Sequence, residues 1–236
     1  DYILKPIVPS EFAHLIKKLE KKVKEKYYRA RNILMHRLVN EIPVKEESLH
    51  RYFSADHYYG AIVRLNGLPS RYGERTGREI FSDINELMLA YGRDSQETLY
   101  LCPEELVCDG DFQQIMERRI GKEQPSAAYV TTIIQSRSVP VSQIGEMVRG
   151  LYRMLDSSII LGKSQTLVME DPGKESVGKV QDRDYEYLEE LEYFAQNQKY
   201  DRLQKDTEDL IRKWTAQEKP QIWIEARLRQ IAYLLQ

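Results

Sequence analysis

The longest run of regularly spaced apolar residues lies near the start of the chain. Between Ser10, the expected N-cap, and Asn40 there is no glycine or proline. Six of the eight a and d positions of the heptads in this stretch are apolar: Phe12, Ile16, Leu19, Val23, Ala30 and Ile33. The two exceptions are Lys26 and Arg37. The spacing predicts one long helix over residues 10–42, which either forms a coiled-coil seam with a second helix or packs on a domain.

The middle of the chain, residues 43–172, alternates between the periods of strands and helices. Strands are predicted at 58–65, 98–102, 105–108, 129–135 and 166–169, and helices at 76–91, 111–121 and from 142 onward. Gly92 and Gly121 are expected to end the first two of these helices. The order β-α-β-β-α-β-α-β predicts an α+β fold, an α/β sandwich in which helices cover one sheet.

Both ends of the chain differ from this middle region. Residues 1–7 have the pattern of a buried strand, a polar linker is predicted up to residue 184, and three helices are predicted beyond it. The chain starts without Met and stops inside an apolar helical pattern, which is typical of a segment from a longer protein. We therefore expect four parts: 1–9, the helix 10–42, the α/β domain 43–172 and the helical segment 173–236.

Composition and charge narrow the class of protein. Among 236 residues, 35 Lys and Arg are balanced by 37 Asp and Glu, which argues against a globally basic nucleic-acid binder. The region 11–37 is locally basic, with nine Lys or Arg and three Glu. The solvated outer face of a helix pair is the preferred interpretation over contact with DNA or an acidic partner. Two cysteines and no apolar run long enough to cross a bilayer favour a cytoplasmic protein.

The residue types needed for catalysis or metal binding do not occur at the required spacings. The four histidines are scattered, so neither a zinc site nor a catalytic residue is predicted. Gly162-Lys163-Ser164 imitates the end of a phosphate-binding loop, but Ser157 stands where the first glycine belongs. The triplet also follows a helix and precedes a strand, which reverses the required order. We interpret it as a turn.

Several short motifs resemble parts of AraC-type two-component response regulators. The first strand, with Lys5 followed by Pro6, is similar to the last strand of a receiver domain, in which such a lysine contacts the phosphoryl group and the bond before the proline is cis. The acceptor aspartate of that family would lie before residue 1, so Lys5 is not expected to meet a phosphoryl group here. The segments 131–136, 151–155 and 161–165 are similar to the central region of these regulators, which resembles a degenerate GGDEF domain.

The resemblance implies a comparison with GGDEF nucleotide cyclases, which use two glycines in a hairpin to approach the GTP phosphates. The hairpin predicted here has the sequence Cys102-Pro103-Glu104-Glu105. Cys102 and Pro103 would block close approach, and a proline also removes an amide donor. Glu104 and Glu105 are interpreted as a solvated turn. We therefore expect no enzyme activity, no cofactor and no metal.

The resemblance and the heptads together predict a non-enzymatic segment that relays a signal and dimerises a transcription regulator. The expected partners are a second copy through the long helix and, through domains outside residues 1–236, a sensor histidine kinase and promoter DNA. The alternative is a small-ligand sensor, with the loop 67–75 beside Tyr58 and Tyr59 as its pocket. A divergent cyclase-like domain is the less favoured alternative.

Overall fold

The computed structural model describes residues 9–65, 89–93, 96–107, 111–123, 129–170 and 185–234. The seven helices of this described part are α1 (Pro9–Val39), α2 (Glu46–Tyr52), α3 (Phe112–Glu123), α4 (Ile144–Ser158), α5 (Tyr185–Gln196), α6 (Tyr200–Ala216) and α7 (Gln221–Leu234). Its strands are β1 (His57–Leu65), β2 (Leu89–Tyr91), β3 (Glu97–Pro103), β4 (Val130–Gln135), β5 (Val139–Pro140) and β6 (Gln165–Met169). The predicted α+β class is confirmed.

The described strands form one mixed sheet in the order β2-β3-β1-β4-β6, and β5 pairs with the start of β1. All neighbours are antiparallel except β4 and β6, which are parallel. β1 lies in the centre, and its residues Ala61, Ile62 and Val63 are completely buried. A strand buried on both faces needs apolar residues without alternation, which is why this segment was readily predicted.

Helices cover both faces of the sheet. On one face, α4 presents Ile144, Met147 and Leu151 to the strands. The contact is close at Gly60 of β1, where a Cβ atom would lie 2.8 Å from the Met147 side chain. On the other face, α3 packs through Phe112, whose ring stacks on Tyr59 with centroids 5.0 Å apart.

The long helix α1 belongs to the same core only in its last turns. Leu34, Met35, Leu38 and Val39 are buried in the cluster that includes α4 and the sheet. These buried turns tie the helix to the α/β layer. At its other end, α1 begins at Pro9, one residue before the predicted N-cap, because a proline fits the first helical position.

The three C-terminal helices form their own apolar cluster of Leu191, Leu203, Leu210, Trp214, Ile224 and Ile231. The rings of Trp214 and Trp223 meet edge to face at 5.3 Å. This unit contacts the α/β layer where Gln221 N–H donates to the Ile159 carbonyl at 2.7 Å, just past the end of α4. Helices α4 and α7 also pack against each other.

The predicted hairpin at residues 102–105 is wrong. Cys102 and Pro103 are the last residues of β3, and Glu104 and Glu105 begin a 3₁₀ turn over Glu104–Val107. Because β2 and β1 already occupy both edges of β3, a further strand there has no edge to pair with. The antiparallel hairpin in this part of the sheet is instead formed by the consecutive strands β2 and β3.

Two smaller sequence predictions also fail. The helix predicted over 76–91 does not include its last residues, because Leu89–Tyr91 is strand β2 and pairs antiparallel with Leu99–Leu101. Gly121 does not end α3, which continues to Glu123. The predicted strand 1–7, with Lys5 and Pro6, the loop 67–75, the rest of helix 76–91 and the linker after residue 170 lie outside the described residues.

Candidate functional site: the exposed face of α1

The apolar stripe predicted from the heptads lies on the surface of α1. Among described large apolar residues, Val23 is 66% exposed and Ile33 is 63% exposed. Phe12, Ile16 and Leu19 are also exposed, and Ala30 is half-buried. Such a row is unusual for a helix facing water, because each exposed member forgoes the stabilisation of burial.

The stripe is separate from the face that α1 packs on its own domain. Ile33 is exposed, although Leu34 and Met35, the next two residues, are buried. The core-facing side also includes Tyr27, whose hydroxyl donates to the Tyr52 carbonyl at 3.0 Å. The helix therefore has two apolar faces over its last turns, and the intramolecular core accounts for only one.

Lysines and arginines surround the stripe. Lys22, Lys26 and Arg29 are exposed and form no ion pair with another described residue. Lys24 does pair with Glu20, one turn earlier, at 2.8 Å. This pair lowers the pKa of Glu20 through a hydrogen bond from Lys24 and the Lys24 charge. The face combines an apolar stripe with an excess of positive charge.

A buried ion cluster lies where the end of β1, the start of β3 and Arg93 of the β2–β3 hairpin meet α4. The Glu97 carboxylate is completely buried and accepts from Arg93 at 2.8 and 2.7 Å and from Arg64 at 3.1 Å. Arg93 also donates to Asp156 at 3.1 Å and lies 3.9 Å above the centre of the Tyr152 ring. These contacts fasten the hairpin to α4.

The pKa shifts in this cluster follow from burial and charge. Burial alone would lower the pKa of Arg93, but hydrogen bonds and charges from Glu97 and Asp156 hold it above its usual value. Burial raises the pKa of the Tyr152 hydroxyl well above its usual value, and the Glu97 charge adds to this. The raised pKa values keep Arg93 charged and Tyr152 neutral at neutral pH, which suits a structural clamp better than proton transfer.

The sequence contains a signal for this cluster that hydrophobic periodicity does not reveal. Arg64 interrupts an otherwise apolar strand, and Glu97 opens the next buried strand. Their Cα positions are paired across the sheet. A cation and an acid within buried strands predict a mutual ion pair, because neither is found buried alone.

The residues of the predicted hairpin lie at the end of β3 and at the start of the 3₁₀ turn that follows it. Cys102 is completely buried, and burial raises the pKa of its thiol to about 11. Glu104 is exposed and accepts from the Ser138 hydroxyl at 2.7 Å. Pro103 pairs with Tyr58 in the sheet, and Glu105 is exposed.

The tyrosines of the alternative ligand pocket are used in packing. Tyr58 is 2% exposed, and its hydroxyl accepts from the Ala55 amide at 3.1 Å. Tyr59 stacks on Phe112. The predicted turn at Gly162 is confirmed: the glycine has φ of 73°, and Lys163 pairs with Glu218 at 2.6 Å.

A cleft of about 310 Å³ lies between α5 and α6. Its apolar floor consists of Leu191 and Leu210, and Glu190, Asp206 and Asp209 are at its rim. The cation of Lys213 already sits 4.4 Å from the centre of the Tyr187 ring, which is another wall. The chain therefore supplies its own cation to this cleft.

Within the part of the chain that the structure describes, no helix has the length and hydrophobicity to cross a bilayer. No group of three or more His, Cys, Asp or Glu residues in that same part is arranged to hold a metal ion. Comparisons with protein-family models, with curated proteins and with solved structures gave no match.

Proposed function

We propose that the chain is a non-enzymatic dimerisation and signal-relay segment of a cytoplasmic two-component response regulator. In this proposal, α1 pairs with α1 of a second copy and passes a change from a receiver domain to an AraC-type DNA-binding domain. The receiver and DNA-binding parts of the proposal rest on the sequence resemblance, including Lys5-Pro6 and the central motifs. Dimerisation rests on the geometry of α1.

The observation that supports dimerisation most directly is the exposed stripe from Phe12 to Ile33. It spans three heptads, or about 32 Å at the rise of an α-helix. The identity of its residues suits a second copy, because β-branched Ile16 and Val23 occupy a positions and Leu19 occupies a d position. That distribution favours a parallel coiled coil of two helices.

A relay also needs a contiguous path from α1 to the C-terminal helices, and α4 supplies one. The buried turns of α1 pack against α4, and α4 packs against α7. The ion cluster adds a link from Asp156 on α4 to the hairpin residue Arg93. A shift of α1 caused by dimerisation would reach α7 through packed side chains, which is the physical requirement for coupling.

Sedimentation equilibrium of the whole 236-residue chain tests the dimer. We expect a reversible dimer that Leu19→Asp converts to a monomer, since two carboxylates would replace the apolar pair at this d position and face each other. Lys21→Asp, on the opposite side of the same helix, is the matched control and should leave the dimer intact. A wild-type chain that stays monomeric at high micromolar concentration would rule the dimer out.

Hydrogen exchange tests the relay separately. Comparison of the wild type with Leu19→Asp should show changed protection in α4 and α7, far from the substituted residue. Unchanged protection in both helices, in a sample where the dimer is lost, would separate dimerisation from relay and refute the latter.

A further inference from the structure

Within the stripe of α1 from Phe12 to Ile33, one seam position does not fit a simple apolar pairing. Lys26 occupies a d position between Val23 and Ala30, and its side chain is exposed. In a parallel, in-register pair each d residue meets the same residue of the second copy. The two Lys26 ammonium groups would therefore face each other across the seam.

The neighbouring edge positions add charge of the same sign. Lys22 and Arg29 are g positions that border the Lys26 layer, and both are exposed without an ion pair to a described residue. The e position next to this layer is Tyr27, whose hydroxyl is bound to Tyr52 of its own domain. Glu20, the closest acidic e position, is held by Lys24 at 2.8 Å.

We propose that pairing of α1 with a second copy creates a binding site for a multivalent phosphate-type anion, made by Lys22, Lys26 and Arg29 of both copies. This inference rests on the proposed dimer. Each copy supplies three cations, so the site is complete only when both are present. Such an anion neutralises charges that otherwise repel each other, and its binding and dimerisation stabilise each other by linkage.

The site also explains why an otherwise favourable stripe carries a lysine in its centre. With leucine at position 26 the seam would be apolar throughout, and the dimer would form regardless of solution conditions. A lysine weakens the dimer, and a bound anion restores its affinity. The ligand chemistry is shared by inorganic polyphosphates and by phosphate groups on small molecules, and pyrophosphate is the simplest probe.

Sedimentation equilibrium of the whole chain in chloride and in pyrophosphate, at constant ionic strength, tests the proposal. We expect pyrophosphate to lower the dimer dissociation constant about tenfold, in line with removing like-charge contacts. Lys26→Leu should dimerise about tenfold more tightly than the wild type in chloride and lose most of its response to pyrophosphate. Lys17→Leu, outside the seam on the same helix, should behave like the wild type.

The outcomes separate this inference from the proposed dimer. A wild-type dimer that ignores pyrophosphate, with Lys26→Leu no tighter, overturns the anion site and leaves the dimer standing. A monomer under all conditions overturns both. Calorimetry supplies a second readout: if monomeric Leu19→Asp binds pyrophosphate as tightly as the wild type, or binds duplex DNA through the same lysines, the site does not require two copies and the proposal fails.

Discussion

The two apolar faces of α1 behave in opposite ways although they belong to one helix. Leu34, Met35 and Leu38 lie in the core of the α/β layer, whereas Ile33 and Val23 face solvent. The heptad pattern predicts only the solvent-exposed face. A helix with both faces can dock on its own domain and still offer a surface to a partner.

The same contrast separates two pairs of charges. Glu97 is completely buried between Arg93 and Arg64, whereas Glu20 pairs with Lys24 on the open surface of α1. The buried carboxylate has lost its water and depends on its arginines. The exposed carboxylate keeps its hydration, and its pair adds little to stability.

The largest expected effect comes from placing the same charge on each face of α1. Leu38→Asp puts a carboxylate among apolar side chains and should reduce the free energy of unfolding by about 4 kcal/mol or more. Ile33→Asp, five residues earlier on the open face, should change that of the monomer by less than about 0.5 kcal/mol. Urea unfolding at low protein concentration measures both. Equal losses would contradict the two-face description.

Removal of the buried charge at Glu97 is expected to have the next largest effect. Glu97→Gln leaves Arg93 and Arg64 buried without the acid between them and should cost about 3 kcal/mol of unfolding free energy. Glu20→Gln is the matched control on α1 and should leave the denaturation midpoint unchanged. A Glu97 variant as stable as the wild type would mean that the cluster does not clamp the hairpin to α4.

A smaller effect is expected where the two faces of α1 lie closest together. Ile33→Asp should raise the dimer dissociation constant about tenfold, because Ile33 is the last apolar d position of the stripe. Sedimentation equilibrium of Ile33→Asp and of Ile16→Asp, measured in parallel, shows how far the seam extends along α1. Should Ile16→Asp break the dimer while Ile33→Asp does not, the seam ends before α1 meets its own domain.

Local sequence was enough to predict elements whose period matches their burial. Strand β1, strand β4 and helix α4 were placed within a few residues, because each buries a continuous face. Residues 89–91 were misassigned because their apolar spacing suits a helix, while pairing with β3 decides their conformation. The false hairpin at Pro103 has the same origin: the occupied edges of β3 are a property of the whole sheet.

The same difference explains why the sequence predicts one candidate site, the stripe of α1, and not the other, the ion cluster. The stripe of α1 was predicted by periodicity alone, since the residues that form it belong to one helix. The ion cluster brings together Arg64, Arg93, Glu97 and Asp156 from four separate elements, and sequence spacing contains no direct record of that meeting. The only sequence signal for the cluster is the isolated charge of Arg64 in β1 and of Glu97 in β3.

The smallest expected effect is a dependence of stability on pH from the buried Cys102 thiol. Burial raises its pKa in the folded protein to about 11, from an ordinary value near 9. As pH rises through this range the unfolded chain loses the thiol proton first, so the folded state loses stability; below about pH 9 this contribution is constant.

Urea unfolding between about pH 8 and about pH 10 should show a decline in the free energy of unfolding that is less steep in Cys102→Ala. Tyr58 and Tyr152, whose pKa values are also raised, act in the same direction but remain in both proteins. The difference between the two slopes therefore isolates Cys102, and identical slopes would mean that the thiol is exposed to water in the folded protein.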